Sequence, residues 1–376
     1  MTASDTAPHP ERLLARWDAP RPKRVLALDG GGVRGAIALG FLERVESLFR
    51  ETSGNNDLRL ADVFDLIGGT STGSILAAGL AVGMEVQALR RYYAEAGPFV
   101  FAKRRLRFWQ SLYDERPLVS TLREGFGDIR LGDEAIRTGL CIVTKRADTN
   151  SLWPLLNHPR GRYYERNREI RLRDAVRASA AAPVMFRPAR VEVAPGQSGL
   201  FVDGGVSMAN NPALLLFLVA TLEGYPFRWP TGENELLLVS VGTGTWERTS
   251  DPVALAGGNA FRWLAQLPDM LIADGSALVE TLLQAISRSP TARTIDRELG
   301  DLRGDLLLGA PALRYLRYNV QLDAEGLGAL GLTDLVPRLS DLRSLAGGKV
   351  LDAHERIGRA AADLVRAEHF EGFLPP

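Results

Sequence analysis

A serine flanked by glycines two residues to either side lies between an apolar segment and a helix-like segment. Residues 69–73 read Gly-Thr-Ser-Thr-Gly, with the apolar residues 63–68 before them and the small and apolar residues 74–80 after them. A strand, a sharp turn and a helix in this order hold a serine hydroxyl out of the backbone, as in the elbow of serine acyl hydrolases. The alternative is a small-residue turn that only lets a helix pack closely on a strand. The pattern favours Ser71 as a nucleophile, which then needs a base and an oxyanion hole.

A second glycine-rich turn follows the first apolar strand of the chain. Residues 29–35 read Asp-Gly-Gly-Gly-Val-Arg-Gly, after the apolar residues 25–28 and before a segment with helical periodicity at 36–50. The glycine spacing meets the nominal dinucleotide fingerprint. However, no strand ending in an acidic residue follows about 20 residues later, as that site requires. Successive amide groups at a helix N-terminus can instead bind an oxyanion, and we favour this interpretation.

The general base is not predicted to be a histidine. The four histidines lie in segments where no strand end is expected: His9, His158, His354 and His369. A buried carboxylate can serve instead. We predict that Asp203 ends a parallel strand, as Ser71 does, and that Gly204 and Gly205 keep the turn around it open. The alternative for Asp203 is an ordinary turn or helix-capping residue.

These blocks together resemble the signature blocks of the patatin-like phospholipases. Residues 29–35, 69–73 and 203–205 occur in the family's order, and residues 177–183 (Arg-Ala-Ser-Ala-Ala-Ala-Pro) resemble a further block before the aspartate. The resemblance spans residues 24–245. It implies an α/β fold, namely a three-layer α/β/α sandwich with a mainly parallel central sheet. It also implies a catalytic dyad of Ser71 and Asp203 without histidine.

The resemblance further implies the supporting residues and the activity. The oxyanion hole would comprise Gly30, Gly31, Gly32, Val33 and Arg34, and the turns would depend on Gly69, Gly73, Gly204 and Gly205. No metal and no organic cofactor is implied. The predicted function is a lipid acyl hydrolase of phospholipase A or lysophospholipase type that forms an acyl-enzyme. Two alternatives stay open: a membrane-degrading phospholipase effector activated by a cyclic nucleotide, and a nucleotide-binding protein without hydrolase activity.

Length and charge limit the organisation and the partners. The chain has 376 residues, and Lys plus Arg and Asp plus Glu are balanced at 45 each, which argues against a nucleic-acid partner. We expect a disordered lead at 1–23, a catalytic domain at 24–250 and a helical C-terminal part at 251–376, packed on the same domain. The expected partner is a phospholipid or another lipid ester, and a homo-oligomer remains open.

Segment composition suggests a cytoplasmic protein that contacts membranes peripherally. We find neither the apolar core of a secretory signal nor about 18 consecutive apolar residues. Residues 99–109 interleave aromatic and basic side chains, which is typical of a lipid-facing element, although a solvated charged face is the alternative. Cys141, the single cysteine, is expected to be a buried core residue.

Overall fold

The computed structural model describes residues 8–100, 111–247, 257–258, 260–347 and 350–375. The strands are β1 (Lys23–Leu28), β2 (Leu66–Thr70), β3 (Gly139–Arg146), β4 (Ser151–Leu156), β5 (Ala189–Ala194), β6 (Gln197–Asp203), β7 (Leu236–Val241), β8 (Ser287–Arg288) and β9 (Leu313–Tyr318). They form one sheet in the order β5-β6-β3-β2-β1-β7-β9-β8, and β4 pairs with β3 outside this path.

Helices cover both faces of this sheet. They are α1 (His9–Asp18), α2 (Gly35–Ser53), α3 (Leu60–Val63), α4 (Thr72–Ala81), α5 (Val86–Val100), α6 (Arg116–Phe126), α7 (Tyr164–Asn167), α8 (Leu172–Ser179), α9 (Ala213–Thr221), α10 (Ala260–Ala285), α11 (Ala324–Ala329), α12 (Leu339–Leu342) and α13 (Leu351–Ala361). Short 3₁₀ helices lie at Gly32–Arg34, Gly204–Val206, Thr333–Arg338, Ala362–Leu364 and Ala367–Phe370.

The side-chain alternation of β1 creates two separate cores. Leu26 and Leu28 point into a core that also contains residues of α2, α4, α5 and α13. Val25 and Ala27 point into a second core with residues of α1, α9 and α10. A strand that is apolar on both faces must be covered on both faces. The architecture is therefore the α/β/α sandwich that the sequence predicts.

The central strands place the predicted catalytic segments at one edge of the sheet. β1 pairs in parallel with β2 and with β7, and β2 pairs in parallel with β3. The carboxyl ends of parallel strands meet at the same edge, where ligands bind in open α/β sheets. The glycine-rich turn follows β1 and Ser71 follows β2, so both lie at this edge.

The direction of β6 differs from the prediction. The sequence suggests that Asp203 ends a parallel strand, but β6 is antiparallel to both β3 and β5. The chain reverses after β5 through Gly196, whose φ of 71° favours glycine. β6 pairs only with the last residues of β3, where Thr144 is opposite Asp203. The carboxyl end of β6 therefore still reaches the edge that carries Ser71.

From residue 8 onward, the N-terminal segment is ordered, which differs from the disordered lead that the sequence predicts for residues 1–23. In α1, Leu13 and Trp17 are one turn apart and both are buried. The Trp17 indole donates to the Asp65 carbonyl at 3.0 Å, and Arg16 and Arg21 pair with the buried Asp65 carboxylate. Two apolar anchors and one ion-pair cluster are enough to order this short helix. Residues 1–7 lie outside the described residues.

The sequence predicts a helical C-terminal part at residues 251–376, but this part also contains two strands. β9 pairs in parallel with β7 inside the central sheet, and β8 extends β9 at the edge. The arginines of β9 obscure this strand in the sequence, because a buried strand normally lacks charges. α13 packs against α2, where a Cβ on Gly40 would lie only 2.0 Å from the Gly358 carbonyl oxygen.

Other predictions concern the surface and the single cysteine. Cys141 is buried in β3, and burial raises the pKa of its thiol. Phe99 is exposed in the last turn of α5, whereas residues 101–109 of the predicted lipid-facing element lie outside the described residues. Within the described ranges, no helix has the length and apolar character needed to cross a membrane.

Candidate active site

Ser71 lies in a strained turn between β2 and α4. Its φ of 55° and ψ of −122° are rare for a residue with a side chain. Close contacts explain the flanking glycines. A Cβ on Gly69 would lie 2.1 Å from the Gly73 carbonyl oxygen, and a Cβ on Gly73 would lie 2.1 Å from the Leu28 carbonyl oxygen. The turn can form only because both positions lack side chains.

Ser179 holds the backbone of this turn. The Ser71 N–H donates to Ser179 Oγ at 2.9 Å, and Ser179 Oγ donates to the Val143 carbonyl at 2.6 Å. Ser179 is fully buried at the end of α8. The sequence block that contains Ser179 predicts no role for its hydroxyl. The structure shows that this hydroxyl connects the strained turn to β3.

Asp203 is a buried carboxylate beside Ser71. It lines the same cavity as Ser71, whose hydroxyl is close enough to act on its pKa, and Oδ1 accepts the Gly205 N–H at 2.7 Å. Asp203 is 4% exposed, and burial raises its pKa to about 6, although the Ser71 hydroxyl and the Gly205 N–H act in the opposite direction. A carboxylate with this pKa is ionised at neutral pH and is a better proton acceptor than an exposed aspartate.

The amides of the glycine loop divide into free and occupied donors. Gly31 and Gly32 line the same cavity as Ser71, and their N–H groups donate to no acceptor among the described residues. The other amides of the predicted oxyanion hole are occupied, because Gly30 donates to the Asn210 carbonyl at 3.0 Å, Val33 to the Leu345 carbonyl at 3.0 Å and Arg34 to the Gly31 carbonyl at 3.2 Å. The available donors of the predicted set are therefore Gly31 and Gly32.

The Arg34 side chain contacts the backbone of this loop. Its Nε donates to the Gly31 carbonyl at 3.4 Å, and its guanidinium lies 5.0 Å from the ring centre of Trp246. In a trans peptide the C=O and the following N–H point in opposite directions. Holding the Gly31 carbonyl therefore directs the Gly32 N–H away from Arg34.

Tyr93 of α5 connects the two turns, and nothing in the local sequence predicts this. Its hydroxyl donates to the Gly32 carbonyl and lies 2.8 Å from Thr72 Oγ1. The single phenolic hydrogen is used on Gly32, so Thr72 donates to Tyr93. Burial raises the pKa of Tyr93 to about 12, which keeps this donor protonated. Ser71 and the glycine loop are thus held at a defined separation.

A largely apolar cavity of about 140 Å³ opens from Ser71 to solvent. Its wall includes Ile75, Val100, Leu118, Leu122, Met185, Phe186, Val206, Ile272 and Leu345. All four histidines belong to the described residues, and none of them lines this cavity. Among all residues that the structure describes, no cluster of His, Cys, Asp and Glu side chains is arranged to hold a metal ion.

Comparisons with known proteins agree with the resemblance seen in the motifs. A model of the family described as Patatin-like phospholipase matches residues 26–217. Patatin-2-Kuras 1 of Solanum tuberosum is 30% identical over 281 residues, which are 70% of this chain and 74% of the relative. A cGAMP-activated phospholipase of Vibrio cholerae serotype O1 is 29% identical over 276 residues, which are 70% of this chain and 76% of the relative.

A structural comparison finds VipD from Legionella pneumophila, with a TM-score of 0.40 and 14% identity over 89% of this chain and 68% of that one. The family match covers half of the chain and contains all three catalytic blocks. The chain belongs to the patatin-like phospholipase family.

Proposed function

We propose that this protein is a lipid acyl hydrolase that cleaves fatty acyl esters of phospholipids or lysophospholipids. One observation carries the proposal: a serine in a strained turn, a buried aspartate and two amides without an acceptor among the described residues line the same apolar cavity. Membership of the patatin-like phospholipase family supports a lipid as the substrate.

In the acylation step, Ser71 Oγ attacks the ester carbonyl carbon and its proton passes to the Asp203 carboxylate. The carbonyl oxygen becomes an oxyanion, which accepts hydrogen bonds from the Gly31 and Gly32 N–H groups. These donors are oriented before the reaction, so they stabilise the developing charge without reorganisation. The C–O bond to the leaving alcohol then breaks, and protonated Asp203 returns the proton to that oxygen.

In the deacylation step, water attacks the acyl-enzyme carbonyl and gives its proton to Asp203. The second oxyanion uses the same two amides. Cleavage of the ester bond to Ser71 then releases the fatty acid, and Asp203 returns the proton to Ser71 Oγ. The apolar cavity wall provides a surface against which a fatty acyl chain can be buried. A substrate of this kind implies peripheral contact with a lipid aggregate or membrane.

The direct test is covalent labelling of Ser71 with a long-chain fluorophosphonate, followed by mass-spectrometric mapping. We expect one labelled site at Ser71 and release of fatty acid from lysophosphatidylcholine. Ser71→Ala should lose both the label and the hydrolysis. Ser120→Ala, which alters an exposed serine of α6, is the matched control and should keep both. A folded wild-type protein that neither labels at Ser71 nor releases fatty acid would contradict the proposal.

A second candidate is the same hydrolase under control of a cyclic nucleotide. Two observations favour it. The first is the similarity to the cGAMP-activated phospholipase. The second is the hydrogen bond from the Val33 N–H to the Leu345 carbonyl, which occupies an amide that the family resemblance assigns to the oxyanion hole. In this form, hydrolysis by the purified protein should depend on added cGAMP. Full activity of a monomer without any nucleotide would exclude it.

A further inference from the structure

Thr243 packs against the glycine loop that precedes α2. It follows β7 by two residues and is 3% exposed. Its Oγ1 donates to the Gly30 carbonyl at 2.9 Å. The contact with the next residue is equally close, since a Cβ on Gly31 would lie 2.1 Å from Thr243 Oγ1. The hydroxyl is therefore packed directly against the peptide that joins Gly30 and Gly31.

The direction of this bond determines the direction of an amide. The Gly30 carbonyl and the Gly31 N–H belong to one trans peptide plane and point in opposite directions. Since Thr243 holds the carbonyl on its own side, the N–H of Gly31 points away from Thr243. That N–H has no acceptor among the described residues, and Gly31 lines the cavity that contains Ser71.

Thr243 can hold this peptide because the backbone on either side of Thr243 is hydrogen-bonded to the end of β9 and to Asn319, the residue that follows β9. The Gly242 N–H donates to the Tyr318 carbonyl at 2.8 Å. The Gly244 N–H donates to Asn319 Oδ1 at 2.8 Å. The bonds on either side of Thr243 leave its hydroxyl little freedom to follow the loop. Thr243 is thus a rigid support rather than a partner that moves with the glycine turn.

Three different side chains donate hydrogen bonds to the three peptide carbonyls of the loop. Thr243 holds the Gly30 carbonyl, Arg34 holds the Gly31 carbonyl and Tyr93 holds the Gly32 carbonyl. The Arg34 bond is long, at 3.4 Å, whereas the Thr243 bond is 2.9 Å. Tyr93 orients a peptide whose N–H, on Val33, is already occupied. Only Thr243 and Arg34 orient peptides whose N–H has no acceptor among the described residues, and the Thr243 bond is the shorter of these two.

We propose that Thr243 is a positioning residue of the oxyanion hole, which aligns the Gly31 N–H with the oxyanion formed at Ser71. The inference rests on the proposed function, because an oxyanion arises only if Ser71 attacks a carbonyl. The Thr243 hydroxyl touches neither the substrate nor the reacting atoms. Removal of an oxyanion-hole donor lowers kcat by about 100-fold to 1,000-fold. A misaligned donor should cost less, about 10-fold to 100-fold.

The test compares Thr243→Val, which removes the hydroxyl at nearly constant shape, with Thr243→Ser, which keeps it. We expect Thr243→Val to lower kcat on a p-nitrophenyl ester by about 10-fold to 100-fold with KM within about twofold. Thr243→Ser should restore most of kcat. Thr243→Ala removes the same hydroxyl without β-branching and should repeat the kcat loss, which covers poor folding of the valine variant.

The matched control is Thr138→Val. Thr138 is also fully buried, and its Oγ1 donates to the Phe64 carbonyl at 2.5 Å just before β3, at the opposite edge of the sheet. This variant loses an equivalent hydrogen bond and should keep kcat. Equal losses of kcat in Thr138→Val and Thr243→Val would overturn the proposal. So would a serine variant as impaired as the valine variant, or a valine variant within twofold of wild type.

The rate of Ser71 phosphonylation by a fluorophosphonate is the second readout, since the phosphoryl oxygen uses the same donors. It should fall in Thr243→Val and Thr243→Ala but not in Thr138→Val. This rate also separates the two proposals. A wild type that hydrolyses no ester but is labelled at Ser71 would contradict the proposed function, whereas the ranking of labelling rates would still decide the role of Thr243.

Discussion

Two buried carboxylates of this protein, Asp203 and Glu280, have opposite electrostatic surroundings. Glu280 is 2% exposed and pairs with Arg317 at 3.0 Å and with Arg293 at 2.5 Å. Burial raises its pKa, but the two arginines outweigh burial and the pKa lies below its usual value. Asp203 has only hydrogen-bond donors without charge, so burial prevails and raises its pKa to about 6.

This difference separates a structural carboxylate from the carboxylate that we propose as the base. Glu280 stays ionised and holds Arg317, which also makes a bidentate pair with Asp29 at the start of the glycine loop. The charge cluster therefore joins α10, β9 and the glycine loop. Asp203 can gain and lose a proton near pH 6 because no arginine among the described residues pairs with it.

The largest expected effect concerns the proton acceptor. Asp203→Asn should lower kcat/KM by about 10,000-fold or more, because the amide cannot accept the Ser71 proton. In the wild type, kcat/KM should fall about tenfold per pH unit below about pH 6, where Asp203 becomes protonated. The measurement is ester hydrolysis from pH 4.5 to 8. A flat profile across this range in folded protein would show that Asp203 is not the base.

The next effect concerns the paired carboxylates. Arg317→Met should destabilise the protein by about 3–5 kcal/mol, because it leaves the buried Asp29 without its ion-pair partner and Glu280 with Arg293 alone. Urea unfolding measures the change. The matched control is Arg356→Met, whose pair with Asp334 is exposed and should matter little for stability. If both variants unfold at the wild-type urea concentration, the cluster does not stabilise the fold.

The smallest effect links stability to the base itself. Asp203→Asn should stabilise the protein at pH 8 by up to about 3 kcal/mol, since the pKa of Asp203 rises from an ordinary 3.8 to about 6 on folding. The native state binds this proton more tightly than the unfolded state, so the cost of burying the ionised carboxylate is complete above pH 6. It disappears as the pH falls toward 3.8. The gain should therefore shrink between pH 6 and 4 in unfolding titrations, and a gain independent of pH would contradict this explanation.

The sequence predicts those parts of the site in which the nearby backbone requires a particular residue type. The glycines around Ser71 and in residues 29–35 are required by contacts within a few ångströms of backbone, and they can be recognised as motifs. The direction of β6 could not be predicted, because Asp203 follows an apolar strand whichever way that strand runs. α1 was likewise hidden, since its order depends on Asp65, which lies far along the chain.

The supports of the site depend on long-range contacts. Thr243 and Gly30 are separated by 213 positions, and Ser71 and Ser179 by 108. Nothing local distinguishes these hydroxyls from those of other buried threonines and serines. The fifth parallel strand, β9, was obscured for a related reason, because Arg317 looks like a surface residue until its partners Asp29 and Glu280 are known.

The sequence alone therefore determined which groups are available for the chemistry: a serine in a glycine turn, a glycine-rich loop and an aspartate after a strand. These depend on backbone conformations that only certain residues adopt, so they are visible locally. The tertiary structure alone decided how these groups work. It buried Asp203 without a cationic partner among the described residues, left the Gly31 and Gly32 amides with no acceptor there and occupied the amide of Val33. The reason is physical: pKa and hydrogen-bond direction depend on neighbours that are close in space and distant in the chain.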